Sequence, residues 1–335
     1  MQNLTETIQK SFERKRIMIV GDLVADQFLH GTIARVSREA PVFILKHDET
    51  DTRAGGAANA AVNVASLGGE PVLIGLAGQD VNGGLLIEKL NSSGVNCNYI
   101  VRDKDLQTTT KVRVLAGQHY APRQQVIRID YENQTEISGA SREKLKNNLI
   151  TAGENADAII ISDYNYGVAN SEIVGIARLI SKKKNIPLLI DSRFRLADFP
   201  DATTATPNQE EVEQILGKNF TPEGCAQLRN DLGFESMLVT CGNKGMLLVE
   251  KDRPPLRIDA VGSTEPIDVT GAGDTVIAVY ALGLASGLSF AEAASIANHA
   301  GGIVVMKKGT ASASKTELVE SLNAYTKFHA SDSGF

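Results

Sequence analysis

Ile17-Met18-Ile19-Val20-Gly21-Asp22 is a run of four large apolar residues closed by a glycine and a carboxylate. An apolar run of this length that ends in a polar turn reads as a strand buried on both faces. The same punctuation returns on moving outward from it. Gly55-Gly56 opens a small-residue helix expected over 57–67, and Gly68-Gly69 stops it. A strand over 72–77 and a helix over 82–92 follow. Further short buried strands are expected at 158–162, 187–191, 202–206 and 237–240, with helices over 171–183, 209–216 and 223–232 between most of them. This alternation predicts an α/β fold, a doubly wound and mostly parallel sheet with helices on both faces. Such sheets bind ligands beyond the carboxyl ends of their strands. Gly21-Asp22, Ser162-Asp163 and Asp191 all fall at such ends.

Two regions, 28–54 and 108–131, break the alternation. Lys111-Val112-Arg113-Val114-Leu115 and Gln125-Val126-Ile127-Arg128-Ile129-Asp130 alternate polar and apolar residues, as one-sided strands do. They predict a small β-sheet that projects from the body and covers a site as a lid. Its apolar face must be covered by substrate, by the body or by a second subunit.

The bulk composition excludes several classes. A net charge of −6 argues against general nucleic-acid binding. The cysteines, Cys97, Cys225 and Cys241, are far apart and odd in number, which fits a reducing cytoplasm rather than a disulfide framework or a zinc site. Residues 1–16 are polar and lack the apolar core of a signal peptide. The charge-free run at 275–291 is short for a membrane span and is interrupted by Gly283, Ser286, Gly287 and Ser289, so a fully buried helix is expected there. No internal repeat stands out, and 330–335 reads as a loose tail. One domain over 1–335 is expected.

The segment with the clearest chemistry is Asp268-Val269-Thr270-Gly271-Ala272-Gly273-Asp274-Thr275. A small-residue turn that opens a helix offers free backbone N–H groups to an anion, and its glycines let a phosphate approach closely. A carboxylate beside such a site repels the ligand unless it serves as a base. The segment therefore suggests phosphoryl transfer to an alcohol. It is not the dinucleotide fingerprint, because Val276 stands where the third glycine belongs. The chain carries neither a Gly-x-x-x-x-Gly-Lys-Ser/Thr loop nor the protein-kinase signature set.

Other motifs have plain structural explanations beside functional ones. Gly55-Gly56-Ala57-Ala58-Asn59 makes a tight helix entry. In Pro207-Asn208-Gln209-Glu210-Glu211, acidic residues in a first turn suit the helix dipole, but Asn208 and Glu211 also suit a hydrated Mg²⁺ near phosphates. Thr240-Cys241-Gly242-Asn243-Lys244-Gly245 reads as a turn between two strands that could also pass over a nucleotide. Asn298-His299 lies on an apolar helix ending at Gly301-Gly302, where a satisfied core residue is the default.

Together these segments resemble the ribokinase-like (PfkB) sugar kinases over residues 15–325, on the paired signatures at 55–59 and 268–274. Within that family the chain is most similar to kinases of D-glycero-β-D-manno-heptose 7-phosphate. The supporting segments are Gly21-Asp22 with Asp26, Arg35-Val36-Ser37-Arg38-Glu39-Ala40-Pro41-Val42, Thr110-Lys111-Val112-Arg113, the 125–130 strand and Ser162-Asp163-Tyr164. The resemblance implies one kinase domain with a β-lid shared across a homodimer. It implies Asp274 as general base, with Gly271, Ala272 and Gly273 as the anion hole. Asp22, Asp26, Gly55, Gly56, Asn59 and Asp163 fall on the sugar site, with Lys111, Arg113 and Arg128 toward an anionic part of the substrate. Asn208 and Glu211 fall on the Mg²⁺–phosphate motif, Glu211 reaching the ion through water. Thr240, Gly242, Gly245 and Asn298 fall near the nucleotide. ATP and Mg²⁺ are the implied cofactors, with a monovalent cation left open, and a sugar phosphate is the implied partner.

The chain departs from those kinases at two basic positions. Tyr166 stands where they carry a lysine, and Asp191-Ser192-Arg193 replaces Asp-Pro-Lys. No His-x-Gly-His motif of a nucleotidyltransferase domain follows. Other readings are a family kinase for a different sugar, sugar phosphate or nucleoside, a silent sugar- or nucleotide-binding regulator, and a nicotinamide oxidoreductase, the last disfavoured by the missing fingerprint.

Overall fold

The structure is a computed structural model that describes residues 2–118, 123–133, 135–263 and 265–332. After a first helix α1 (Gln2–Lys10), strand β1 (Arg16–Gly21) enters the centre of the body. The chain then leaves into the lid through β2 (Leu23–Val36) and β3 (Phe43–Gly56) and returns by α2 (Ala57–Ser66). Next come β4 (Glu70–Gly78), α3 (Val81–Ser92) and β5 (Ile100–Asp103), and a second lid excursion in β6 (Thr110–Gly117) and β7 (Gln124–Tyr131). The second half runs α4 (Gly139–Gly153), β8 (Ala158–Asp163), α5 (Ser171–Lys184), β9 (Leu188–Ser192), β10 (Thr204–Ala205), α6 (Gln209–Leu216), α7 (Pro222–Asp231) and β11 (Ser236–Thr240). It closes with β12 (Met246–Glu250), β13 (Leu256–Ile258), α8 (Ala272–Ala285), α9 (Phe290–Val304) and α10 (Lys315–Asp332).

Among the described residues, nine strands make the main sheet in the order β13-β12-β11-β10-β9-β8-β1-β4-β5. All neighbours pair in parallel except at the β11–β12 and β12–β13 edge. The chain goes one way from β1 to β4 and β5 and the other way from β8 to β11, so strand order reverses at β1. A crevice opens at such a reversal, beyond the carboxyl ends of the strands.

β1 shows why the sheet is buried on both sides. Its side chains alternate between two cores, Ile17 and Ile19 in one, Met18 and Val20 in the other. All four are fully buried, each worth roughly 1.5–3 kcal/mol of transfer free energy. The first core is closed by α2, α8 and α9, the second by α4, α5 and α7.

The lid sheet has the order β3-β2-β6-β7. Register places Asp26 opposite Lys111 and Lys111 opposite Asp130, and Phe28 opposite Arg113 and Arg113 opposite Arg128. These rungs share one face by the period of two.

Several expectations need correction. The strand expected at 202–206 shrinks to the two residues of β10. The charge-free run is not one helix: α8 ends at Ala285, a turn follows, and α9 starts at Phe290. The polar start contains α1, whose Leu4 and Ile8, with Phe12 beyond it, are buried in the first core. The tail expected at 330–335 is helical through Asp332, and the rest lies outside the described residues. Strand β7, expected to bury one face, is exposed at every position within this single chain.

Candidate active site

Two helix N-termini meet at the reversal point. α8 is capped by Gly271 at φ +78°, a left-handed conformation that a side chain would strain. A Cβ there would also stand 2.5 Å from Asn59 Nδ2 in the first turn of α2. Gly273 differs, since nothing lies within 4 Å of where its Cβ would be, and the residue lines the main cavity. The Ala272 N–H turns back to Val269 O at 3.2 Å, so the three expected anion-hole amides are not equally free.

Asp274 follows in the first turn and is 3% exposed. Its Oδ1 accepts from the Tyr164 hydroxyl at 2.9 Å and its Oδ2 from Asn59 Nδ2 at 2.8 Å. Burial pushes this carboxyl up to about 7 against the pull of those two hydrogen bonds; nearby Asp26 raises it further and Lys111 lowers it.

A cavity of about 460 Å³ spreads over this turn. Asp26, Lys111, Arg113 and Arg128 line it from the lid, and Asn208 and Glu211 from the far end. Gly56, Asp163 and Thr240 also reach its wall. Lys111 is buried, its Nζ 5.4 Å from the Tyr164 ring centre and 5.8 Å from that of Tyr166. Burial lowers its amine below the usual range, while Asp26 opposes that shift. Arg113 is ion-paired to Asp26, and Arg128 makes a two-pronged pair with Asp130 at 2.9 Å. An adjoining cavity of about 180 Å³ gathers Thr240, Gly242, Gly245 and Asn298 beside apolar Met246, Val261 and Val276. It shares Thr240, Val269 and Gly273 with the larger one.

Some expected site residues are placed elsewhere or are already engaged. Asp22, 1% exposed, does not line the main cavity. Its carboxylate accepts from the backbone N–H groups of Tyr164, Tyr166 and Val168 at 2.8, 3.0 and 3.2 Å, and so shapes the loop after β8. Burial raises its pKa against those bonds. Asp163 is held by Ser192 and Arg195. Gly55 leaves room for the Asp26 carboxylate, whose Oδ2 would be 2.5 Å from a Cβ. Asn208 and Glu211 form a capping box at the start of α6, the structural explanation made real. Glu211 nonetheless faces the cavity, and burial pushes its carboxyl up to about 7. The Asn298 amide fixes Asp259 O at 2.7 Å.

Two residues given no role by the sequence prove central. Tyr164 touches Asp274, and Asp191 lines the cavity with a carboxyl raised well above its ordinary range, first by burial and then by Asp274 and Glu211. Asp191 carried a signal, as a carboxylate ending a buried strand. Tyr164 entered only within the Ser162-Asp163-Tyr164 segment of the family resemblance, with no role attached.

A glycine-capped helix terminus, a buried carboxylate in its first turn and a small sheet over both are the arrangement that a phosphotransferase with an alcohol acceptor calls for. The sequence profile of the pfkB family carbohydrate kinases matches residues 15–317, and the chain belongs to that family. Bifunctional protein HldE of Histophilus somni (strain 129Pt) is 38% identical over 322 residues, covering 94% of this chain and 65% of that protein. Bifunctional protein HldE of Vibrio parahaemolyticus is 37% identical over 316 residues, covering 92% and 63%. The chain thus spans just under two thirds of the length of these relatives. Arabidopsis thaliana ribokinase, solved with ribose and ATP, superposes with a TM-score of 0.69 at 21% identity, covering 92% of this chain and 99% of that one. Escherichia coli phosphofructokinase-2, solved with substrates and products, gives 0.76 at 18%, covering 93% and 99%. At these identities the structures speak for a shared, ribokinase-like fold. Among the described residues, no helix is long and apolar enough to cross a membrane.

Proposed function

We propose that this kinase transfers the γ-phosphoryl group of ATP to O1 of D-glycero-β-D-manno-heptose 7-phosphate, giving the 1,7-bisphosphate. The observation that carries the reading is Asp274, buried behind the Gly271–Gly273 turn with both carboxylate oxygens held and a cationic lid face opposite. The HldE relatives and the heptose-kinase segments favour this acceptor over others.

ATP would lie across the two cavities, its base in the smaller, apolar one and its γ-phosphate over the Gly273 amide. Asp274 takes the proton of the attacking hydroxyl as the new P–O bond forms and the bond to the β-phosphate oxygen breaks, releasing ADP. Its carboxylate need not be strongly basic, because the hydroxyl acidifies only as that bond forms. Lys111, Arg113 and Arg128 supply positive charge to an anionic acceptor, with Arg193 at the rim.

Mg²⁺ fits this wall. Glu211 is a cavity-lining carboxyl whose charge burial opposes and which a cation would restore. Among the described residues no cluster of three or more His, Cys, Asp or Glu could hold a metal, so the ion would rely on water and phosphate oxygens, as Mg²⁺ commonly does. When bound it neutralises phosphate charge.

The exposed face of β7 supports a homodimer through the lid. Ile127, Ile129 and Tyr131 are 54%, 42% and 43% exposed, a patch that invites a second copy.

The test is ATP- and Mg²⁺-dependent phosphorylation of D-glycero-D-manno-heptose 7-phosphate beside unphosphorylated sugars, other sugar phosphates and nucleosides. Strong preference for the heptose phosphate supports the reading. Preference for another acceptor would keep the Asp274 chemistry and replace the substrate.

A further inference from the structure

Tyr164 is the point on which four separate elements converge. Its backbone N–H is fixed by Asp22, just after β1, at 2.8 Å. Its ring lies against Gly56 at the end of β3, where a Cβ would be 3.4 Å from both Cδ2 and Cε2. Lys111 of β6 stands over the ring face, 5.4 Å from its centre. Its hydroxyl reaches Asp274 Oδ1 at 2.9 Å, opposite the Asn59 amide on Oδ2. Asp22 thereby acquires a purpose that its absence from the cavity wall left open. The carboxylate shapes the loop that carries Tyr164.

We propose that Tyr164 is a positioning residue for phosphoryl transfer: with Asn59 it clamps the Asp274 carboxylate so that one lone pair faces the acceptor hydroxyl, and Lys111 strengthens the clamp. The proposal rests on Asp274 being the base. A carboxylate held by one donor can swing about its Cβ–Cγ bond; held on both oxygens from two elements, it cannot. An ammonium over a phenol ring draws electron density from it and makes the hydroxyl a better donor. Burial and the adjacent Asp274 raise the Tyr164 phenol well above its ordinary value, so it stays a donor at any working pH.

The groups facing Asp274 are Asp26 of β2 with its partner Arg113 of β6, Lys111 of β6, Asn59 of α2, Tyr164 after β8 and Asp191 of β9. Tyr164 and Asn59 favour the ionised carboxylate, and so does Lys111; Asp26 opposes it, and the charge of Asp274 in turn raises Asp191. Removing the phenol oxygen therefore raises the Asp274 pKa, and the acid limb of the rate profile moves to higher pH.

The experiment compares wild type with Tyr164→Phe and with 3-fluorotyrosine placed at 164. Acceptor kinetics are measured from pH 5.5 to 9.5, and the Asp274 carboxyl of the free enzyme is titrated by ¹³C NMR, its signal assigned by loss in Asp274→Asn. For Tyr164→Phe we expect the limb and the titration both to rise by about one pH unit. We expect kcat near neutrality to fall roughly tenfold with acceptor KM within about twofold. The fluorinated ring, a stronger donor of nearly the same size, should move both the other way. Unmoved titration in a folded Tyr164→Phe overturns the proposal, whatever happens to kcat. If that variant does not fold, the fluorotyrosine enzyme decides alone. Turnover of no acceptor would sink the proposed function, whereas the titration still reads the clamp.

Discussion

The two walls of the main cavity are built on different plans. On the body side, Asp274, Asn59 and Gly271 are tied together across more than two hundred residues of sequence, and Asp274 and Asn59 are 3% and 2% exposed. On the lid side, Arg128 pairs with Asp130 two residues along its own strand, and that strand is exposed throughout. The body wall is fixed before any ligand arrives, as electrostatic preorganisation requires. The lid wall carries its charges on a single four-stranded sheet whose last strand, β7, is exposed on both faces. The contrast suggests that reaction chemistry belongs to the first and acceptor choice to the second, and substitutions on each side should separate.

The largest effect is expected at Asp274. Asp274→Asn should lower kcat by at least about a hundredfold without loss of fold. Stability should move in the opposite sense. The native carboxyl is raised from 3.8 to about 7, so the stabilisation it gives is present below the unfolded value and is lost as pH rises through about 7. Above neutrality wild type carries a buried charge that the asparagine lacks. Thermal melts should show the variant above wild type at pH 8, with the gap closing toward pH 4. Near-normal turnover would remove Asp274 as base and with it the division between the walls.

On the lid, replacing both Lys111 and Arg113 by alanine should raise KM for phosphorylated acceptors by roughly tenfold or more, with KM for ATP little changed. Arg113 also neutralises Asp26 in a pair whose side chains are 12% and 7% exposed. Its loss should therefore destabilise the protein by about 3–5 kcal/mol. Adding Asp26→Asn should recover much of that stability and none of the affinity. Equal losses of KM for phosphorylated and plain sugars would show that the lid cations do not read a phosphate.

What the sequence made legible follows the same division. Ile17 to Val20 announced a strand because burial on both faces leaves no polar residue to obscure the run. The 271–274 turn was legible because its demands are local, a left-handed residue and a small one at a helix start. Asp22 was assigned to the sugar site, and its hold on the loop after β8 was not legible, because that loop lies 142 to 146 residues away and contributes backbone, which leaves no pattern in side chains. The role of Tyr164 was not legible because its side-chain partner, Asp274, lies 110 residues away and no pattern around Tyr164 points to it. The Asn208 and Glu211 pair was legible twice over, and its capping box shows that a motif can satisfy a helix terminus and still face a cavity. β7 alternates as a one-sided strand should, but nothing in one chain can say what covers it.

A smaller effect on catalysis is expected at Gly271. An alanine there would adopt φ +78° and crowd Asn59 Nδ2, the donor that holds Asp274 Oδ2. Gly271→Ala should cost about 1–3 kcal/mol of stability and several-fold in kcat, with acceptor KM unchanged. A larger change in KM than in kcat would mean that the turn serves acceptor binding and would blur the two walls.

The smallest change in turnover is expected at the outer face of β7, and it tests whether the lid stands alone. Ile129 is 42% exposed and lies on the opposite face from the cavity-lining Arg128. If a second copy covers this face, Ile129→Glu places two like charges into an apolar contact and should convert a dimer to a monomer in sedimentation at micromolar concentration. Turnover at saturating substrate should stay within about twofold, because no group that touches the acceptor is altered. A variant that remains dimeric would put the interface elsewhere. A variant that is monomeric and also loses acceptor affinity would show that the partner's lid stiffens this one, making the lid wall of the cavity a property of the pair.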